Sequence, residues 1–203
     1  MKLFYKSGAC SMAAHILLNE AGASYSLEKV DTEKGLTENG GAYADVNPRG
    51  YVPALQLPDG NILTENVAVL HWLSEQFPTL AAGQGQSLDK FRTLELLSFV
   101  SSELHKGFSP YFSGKSFSEE RQAENMKKLR AKITQFEKLL AEGSDFLLGD
   151  RLTVADAYAF VVLNWANFLS ISLADWPKTE AYVARIMARP ATQQTLREEG
   201  LAA

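Results

Sequence analysis

Lys2-Leu3-Phe4-Tyr5-Lys6-Ser7-Gly8-Ala9-Cys10-Ser11-Met12-Ala13-Ala14-His15-Ile16-Leu17-Leu18-Asn19-Glu20-Ala21-Gly22 changes its hydrophobic period once, and that change decides the fold. Lys2 to Tyr5 reads as a short strand, Ser7-Gly8 breaks it, and Met12 to Ala21 takes helical spacing with Gly22 as a C-terminal cap. The only cysteine of the chain, Cys10, then stands at the head of a helix. Ser26 to Val30 alternates as a second strand, so the chain opens β-α-β.

Downstream, residues 35–41 carry glycine and asparagine and read as loop, before a short helical turn near Tyr43 to Val46. Val52-Pro53-Ala54-Leu55-Gln56-Leu57, then Pro58-Asp59-Gly60-Asn61, then Ile62-Leu63 predict a hairpin with Asp-Gly as its turn. Pro53 lacks an N–H and marks a strand start or a special bend. Thr64 is the expected cap of a helix over Glu65 to Gln76, where Val67, Leu70, Leu73 and Phe77 form one apolar face. The predicted order is β-α-β-α-β-β-α.

Pro78 stops that helix, and residues 79–87 are small, Gly-rich and uncharged, as a linker is. Beyond it no strand signal remains. Leu88 to Phe112 reads as one long helix, and Met126, Leu129, Ile133, Phe136 and Leu140 mark a second by steps of three and four. Thr153 and Asp156 form a capping-box variant that starts a helix apolar nearly all round, the expected centre of this half. Helices over Pro177 to Arg189 and about Ala191 to Glu199 close the chain. The expected class is an α+β domain over 1–78, a linker over 79–87 and an all-α domain over 88–203.

With 203 residues, 46% hydrophobic, the chain can bury a substantial core. A net charge of -4 argues against nucleic acid, whose phosphates select basic stripes. One cysteine makes no internal disulfide, so cytoplasm is the default compartment. A secretory leader is not expected, because Cys10, Ser11 and His15 interrupt the apolar N-terminal run. Val154 to Leu169 carries Asp156, Asn164 and Asn167 and is shorter than the roughly 20 residues that span a bilayer. No metal-ligand spacing, no G-x-G-x-x-G and no P-loop occurs. His15 and His71 lie in apolar-periodic helices and read as packing or surface residues.

The combination resembles the soluble glutathione transferases, in detail their bacterial beta class. The residues that carry this are Lys2-Leu3-Phe4-Tyr5 to Gly8-Ala9-Cys10-Ser11, Asn47-Pro48-Arg49-Gly50-Tyr51-Val52-Pro53-Ala54-Leu55, Leu63-Thr64-Glu65-Asn66-Val67-Ala68, Glu103-Leu104-His105-Lys106-Gly107-Phe108, and Gly149-Asp150-Arg151-Leu152-Thr153-Val154-Ala155-Asp156-Ala157-Tyr158. The resemblance implies a thioredoxin-like first domain, a helical second domain, glutathione as co-substrate, a small hydrophobic electrophile as second substrate, and a homodimer.

A thiol at a helix N-terminus meets the positive end of the helix dipole, which can lower its pKa from about 8.5 into the range of roughly 3.5 to 7.5. A free cysteine is equally at home as a small buried hydrophobe. Cys10-Ser11-Met12-Ala13 is no C-x-x-C pair, so any disulfide must form with an external thiol, and the resemblance names glutathione as that thiol. It further implies that Cys10 and His105 are catalytic, with Tyr5 a candidate for supporting the glutathione thiolate. Ser11, Val52, Pro53, Glu65, Asn66 and Lys106 would bind the tripeptide, the Val52-Pro53 bond being cis; Ser98 and Lys34 are further candidates. His105 and Lys106 would face the Cys10 loop across a cleft, and Phe108, Tyr111, Phe112, Trp165 and Phe168 would hold the apolar substrate. Ser98, Tyr51 and Gly35 stand where the class commonly has asparagine, glutamine and lysine, so some glutathione contacts are lost. The expected function is conjugation of glutathione to small electrophiles. Thiol-disulfide exchange, peroxide reduction or dehalogenation through Cys10 is the alternative, and a non-catalytic ligand-binding or interaction protein is the alternative of another class.

Overall fold

A computed structural model describes residues 1–81, 87–140 and 143–202, the side chain of residue 87 excepted. Contacts divide it into two compact units, Met1–Ala81 with Ala188–Ala203, and Ala82–Met187.

The first unit is a five-stranded sheet with helices. β1 (Lys2–Tyr5) leads through a loop to α1 (Met12–Glu20), and β2 (Ser26–Asp31) returns parallel to β1. Gly22 ends α1 at φ 60°: its N–H bonds Asn19 O, and the Ala23 N–H bonds Leu18 O, the paired bonds of a glycine-terminated helix. β3 (Leu36–Thr37) pairs antiparallel with β2 inside a stretch expected to be loop. The second helix of the expected order is only a 3-10 turn at Tyr43–Asp45. A strand of two residues leaves too little alternation to be seen in sequence, and one turn too little periodicity.

β4 (Ala54–Gln56) and β5 (Ile62–Thr64) form the expected hairpin, and the sheet order is β3-β2-β1-β4-β5. At its turn Gly60 adopts φ 88°, and Asp59 Oδ1 accepts the Asn61 N–H at 3.0 Å. Phe4 pairs with Ala54, and Ala54 with Thr64. This one row brings the exit of β1, the entry to β4 and the exit of β5 to the same end of the sheet.

Side chains alternate across β1. Phe4 packs with Val30, Ala54 and Tyr43 on one face, while Tyr5, on the other, meets the His15 ring of α1 at 6.0 Å. After β5 the chain enters α2 (Asn66–Gln76), then a 3-10 turn at Pro78–Leu80. Thr64 is not the cap of α2. Glu65 is, at φ 67° and without a side-chain capping bond, because Thr64 is still paired in the sheet. The expected linker over 79–87 lies mostly outside the described residues.

The second unit is helical. The helix expected over 88–112 is α3 (Ser87–Phe99), a π-helical segment at Val100–His105, α4 (Lys106–Phe108) and a 3-10 turn at Ser109–Phe112. α5 (Glu119–Leu139), α6 (Val154–Phe168) and α7 (Pro177–Met187) follow. The last helix, α8 (Pro190–Glu198), which the linear reading assigns to the helical half, falls in the first unit. There Arg189 grips Glu20 with Nε at 2.6 Å and Nη2 at 2.9 Å, and Asn19 Nδ2 donates to Thr195 Oγ1 at 3.0 Å.

α6 is buried from Val154 through Ala166, as its apolarity requires. Its start rests on Asp156, a fully buried residue. Oδ2 accepts from the Thr153 N–H at 2.8 Å and the Thr153 hydroxyl at 2.7 Å; Oδ1 accepts from the Leu147 N–H at 2.8 Å and the Tyr182 hydroxyl at 2.9 Å. Asp156→Ala removes the acceptor of three of these donors outright, leaves the Tyr182 hydroxyl only the Asp156 backbone carbonyl at 3.3 Å, and is expected to destabilise the fold by about 3 to 5 kcal/mol. Asp156→Asn, which keeps one accepting oxygen, should lose less, and urea midpoints of the two variants measure the difference.

Candidate functional site

Three segments converge at the sheet end marked by the Phe4–Ala54–Thr64 row. The first is the loop from β1 to α1. Its backbone turns twice, the Ala9 N–H bonding Lys6 O and the Met12 N–H bonding Ala9 O, each at 3.0 Å. Ser11 is fully buried, and its hydroxyl accepts the Lys6 N–H and donates to Lys6 O, both at 3.3 Å. Ser11 therefore spends its side chain on closing the loop. Cys10 emerges half-buried just ahead of α1.

The second segment is residues 47–53, whose Val52-Pro53 bond is cis. Asn47 Nδ2 at 2.7 Å and the Tyr43 hydroxyl at 2.9 Å both donate to Tyr51 O, while Asn47 Oδ1 accepts the Arg49 N–H at 3.2 Å. These bonds hold the Val52 carbonyl at 3.4 Å from Cys10 Sγ, in donor range for a thiol.

The third is the head of α2. Asn66 Nδ2 donates to Cys10 O at 3.3 Å, while Asn66 Oδ1 is buried with no hydrogen-bond partner. Glu65, beside it, keeps a backbone of φ 67° that costs a non-glycine residue about 1 to 3 kcal/mol. Its carboxylate is largely exposed, 3.6 Å from Arg49 Nη1. A helix N-terminus, an orphaned acceptor and a strained carboxylate-bearing residue thus surround one thiol, a setting for a small ligand carrying both charges.

Tyr5 and Lys34 stand apart from this cluster in their contacts. Burial first, then the charge of Glu199, raises the Tyr5 hydroxyl above its ordinary pKa, which keeps it a neutral donor. Lys34 is exposed and pairs with Asp31 at 3.1 Å within its own turn.

In the helical unit three of the candidates meet Trp165. Its ring lies edge-on to His105 at 4.8 Å, Phe112 at 5.2 Å and Phe108 at 5.9 Å. Phe112 and Phe168 are exposed; the Tyr111 hydroxyl lies 3.9 Å from Met126 Sδ, a weak donor contact. Ser98 is exposed on α3, where its carbonyl accepts the Ser102 hydroxyl at 2.9 Å, and Lys106 is exposed. His105 is the last residue of the π-helical segment, a distortion that recurs at functional sites. Its Nδ1 lies 2.7 Å from the Tyr158 hydroxyl. Burial, reinforced by the neighbouring Lys106 charge, lowers its pKa to about 4. The neutral ring has one donor and one acceptor nitrogen, and the Tyr158 bond selects between them.

Among the described residues no group of His, Cys, Asp and Glu could hold a metal, and no helix is long and apolar enough to cross a membrane. Asn47 and Tyr43, which anchor the Tyr51 carbonyl beside Val52, and Tyr158, the partner of His105, are not among the residues that the sequence assigns to the site. Asn47 carried a signal, since an Asn-Pro pair announces a turn; Tyr158 carried none.

Residues 8–76 match the family model described as "Glutathione S-transferase, N-terminal domain", and residues 99–190 match "Glutathione S-transferase, C-terminal domain". The chain is 40% identical to "Glutathione S-transferase GstA" of Escherichia coli over 99% of its own length and 100% of that protein. It belongs to the glutathione S-transferase family. Among solved structures it is similar to a bacterial beta-class transferase from Sphingomonas chungbukensis, with TM-score 0.92 and 38% identity over the whole of both chains. A sphingomonad glutathione S-transferase complexed with glutathione matches with TM-score 0.91 and 42% identity, again over the whole of both. The fold and these likenesses make it a transferase of the bacterial beta class.

The depressed basicity of His105 has a signed consequence. In the unfolded chain the ring protonates near pH 6.5, in the folded one near 4, so stability held above 6.5 is lost as pH falls through this window. A proton NMR titration of His105 is expected to give a midpoint near 4, and His105→Gln should flatten the stability profile between pH 6.5 and 4.

Proposed function

We propose that this transferase conjugates glutathione to small hydrophobic electrophiles, working in the cytoplasm as a homodimer. The observation that carries the reading is the meeting of Cys10, the Val52 carbonyl and the head of α2 around the orphaned Asn66 Oδ1. Glutathione is a tripeptide with a free γ-glutamyl amine and carboxylate, a thiol and a glycyl carboxylate. The N–H groups opening α2 suit the γ-glutamyl carboxylate, the Glu65 carboxylate suits its ammonium, and the backbone at Val52 can pair with the cysteinyl unit as an added strand. That arrangement puts the glutathione sulfur beside Cys10. In the helical unit, Trp165 with Phe108 and Phe112 offers an aromatic wall for an apolar substrate, and Tyr111 and Phe168 are included in the proposed lining. Beside that wall His105, neutral at working pH, has a ring nitrogen to offer the leaving group of the electrophile, and Lys106 next to it adds a positive charge. Ser11 serves as a loop brace, and Ser98 and Lys34, both exposed, contribute least. For the dimer, α3 exposes Leu88 and Phe91, three residues apart, an apolar stripe of the kind an interface covers.

The half-buried thiol also favours a second reaction. The Cys10 thiolate attacks oxidised glutathione, forming a Cys10–glutathione disulfide and releasing one glutathione thiolate; a second glutathione thiolate then attacks the mixed disulfide, regenerating Cys10 and oxidised glutathione. Coupled to another disulfide substrate, the same exchange reduces that substrate.

Calorimetry is expected to show glutathione binding, and an aryl halide or epoxide should be turned over; failure of both removes the proposal. Cys10→Ala should abolish the mass increase of one glutathionyl group after treatment with oxidised glutathione while conjugation persists. A wild-type mass unchanged by that treatment removes the exchange reaction. Glu65→Gly relieves the backbone at φ 67°, and stability in urea is expected to hold or rise by up to about 1 kcal/mol. The same variant should weaken glutathione binding roughly tenfold, because a charge-assisted contact is lost.

A further inference from the structure

His15 is unused by the site described so far, yet both of its ring nitrogens meet carboxylates. It is fully buried on α1, with Nδ1 2.9 Å from Glu199 Oε1 and Nε2 2.7 Å from Glu198 Oε2. Both ring nitrogens are thus engaged by carboxylates, with donor and acceptor roles set by the tautomer. The Glu198 carboxylate is further gripped by Asn19 Nδ2 at 3.0 Å, the Tyr25 hydroxyl at 3.3 Å and, through its other oxygen, Gln194 Nε2 at 2.8 Å. With the Arg189–Glu20 pair, these bonds fasten α8 along α1.

Glu199 reaches further. Its side chain is fully buried, and while Oε1 meets His15, Oε2 accepts the N–H of Gly8 at 2.9 Å. Gly8 sits at φ 71°, a conformation that glycine adopts freely, with Leu201 Cδ1 3.7 Å from where a Cβ would stand. One carboxylate therefore bridges the two sides of Cys10: the residue two before it in the loop, and the residue five after it on the helix. Burying a carboxylate is tolerable only when it is paired and hydrogen-bonded, and both conditions are met here by groups that flank the thiol. The bonds of Ser11 and Ala9 to Lys6 shape the loop from within. The Glu199–Gly8 bond does something different, tying the loop to the residue that caps the last helix.

We propose that Glu199 is a positioning residue for Cys10. Its carboxylate, held by His15, sets the Gly8 amide and with it the turn that aims Cys10 Sγ at the Val52 carbonyl. The end of the chain beyond α7 is thereby a working part of the thiol site, although it contributes no atom to the contact at Sγ. The inference rests on the proposed function only in naming what the sulfur serves. Thiol reactivity can be measured whether or not anything is conjugated, so failure of one reading is distinguishable from failure of the other.

The test is the pH profile of Cys10 alkylation by iodoacetamide in the full-length protein, read by intact mass. Glu199→Gln keeps an accepting oxygen for Gly8 and a polar amide against His15; Glu199→Ala keeps neither. Alanine is expected to displace the alkylation profile, changing the rate at neutral pH roughly fivefold or more, with glutamine returning it to within about twofold of wild type. A general loss of stability does not predict rescue by glutamine. A folded alanine variant whose profile superimposes on wild type overturns the proposal, and so do two folded variants equally displaced. If the alanine variant does not fold, hydrogen exchange at the Gly8 amide of the wild-type protein decides. Exchange slowed roughly a hundredfold against an open amide supports the bond, and exchange at the open rate overturns it.

Discussion

The pairing of Phe4 with Ala54 and of Ala54 with Thr64 is the constraint on which the thiol site depends. Three chain segments far apart in sequence leave or enter the sheet beside this row, and all do so at one end. A slip of one residue between β1 and β4 would turn Phe4 away from Val30 and Tyr43, exchanging the buried faces of β1. The same slip would move residue 53 along the strand, and the Val52 carbonyl with it. Packing on both faces of β1 thus fixes the register, and the register fixes which backbone carbonyl Cys10 meets.

Around that row the loops are stiffened by side chains that donate to backbone carbonyls. Asn47 and Tyr43 both spend donors on Tyr51 O, and Ser11 closes on Lys6. Glu65 stands as the exception, since its left-handed backbone stores strain at the head of α2. Strain retained beside an orphaned acceptor and a thiol is the pattern of a site selected for binding at some expense to stability. In the helical unit the same logic takes another form. His105 is kept neutral by burial beside Trp165, while Asp156 anchors α6, the helix that carries both Tyr158 and Trp165.

Much of this was legible in the sequence where the cause is local. Asp59-Gly60 makes its turn through one side chain and one positive φ, Gly22 ends α1, and Thr153 with Asp156 starts α6, each within a few residues. The grouping of Cys10, Val52-Pro53 and Glu65-Asn66 was legible through resemblance, whose motifs preserve the order of those segments. Less was visible where the cause is distant. Thr64 has the chemistry of a helix cap, but sheet pairing claims it and leaves Glu65 at the junction. His15 lies in an apolar run and reads as a packing residue; the two carboxylates that meet its ring come 183 and 184 positions later.

The sequence by itself determined the β-α-β opening, the later hairpin, the helical second half and the identity of the one thiol, because periodicity, turn residues and residue chemistry are properties of short segments. Only the tertiary structure decided which partners those segments acquire. It assigned α8 to the first unit, made His15 and Glu199 a buried pair across Cys10, and gave His105 its tyrosine and its lowered basicity. A buried polar group must find a partner wherever the fold brings one within about 3 Å, and distance in space is a quantity that spacing along the chain does not contain.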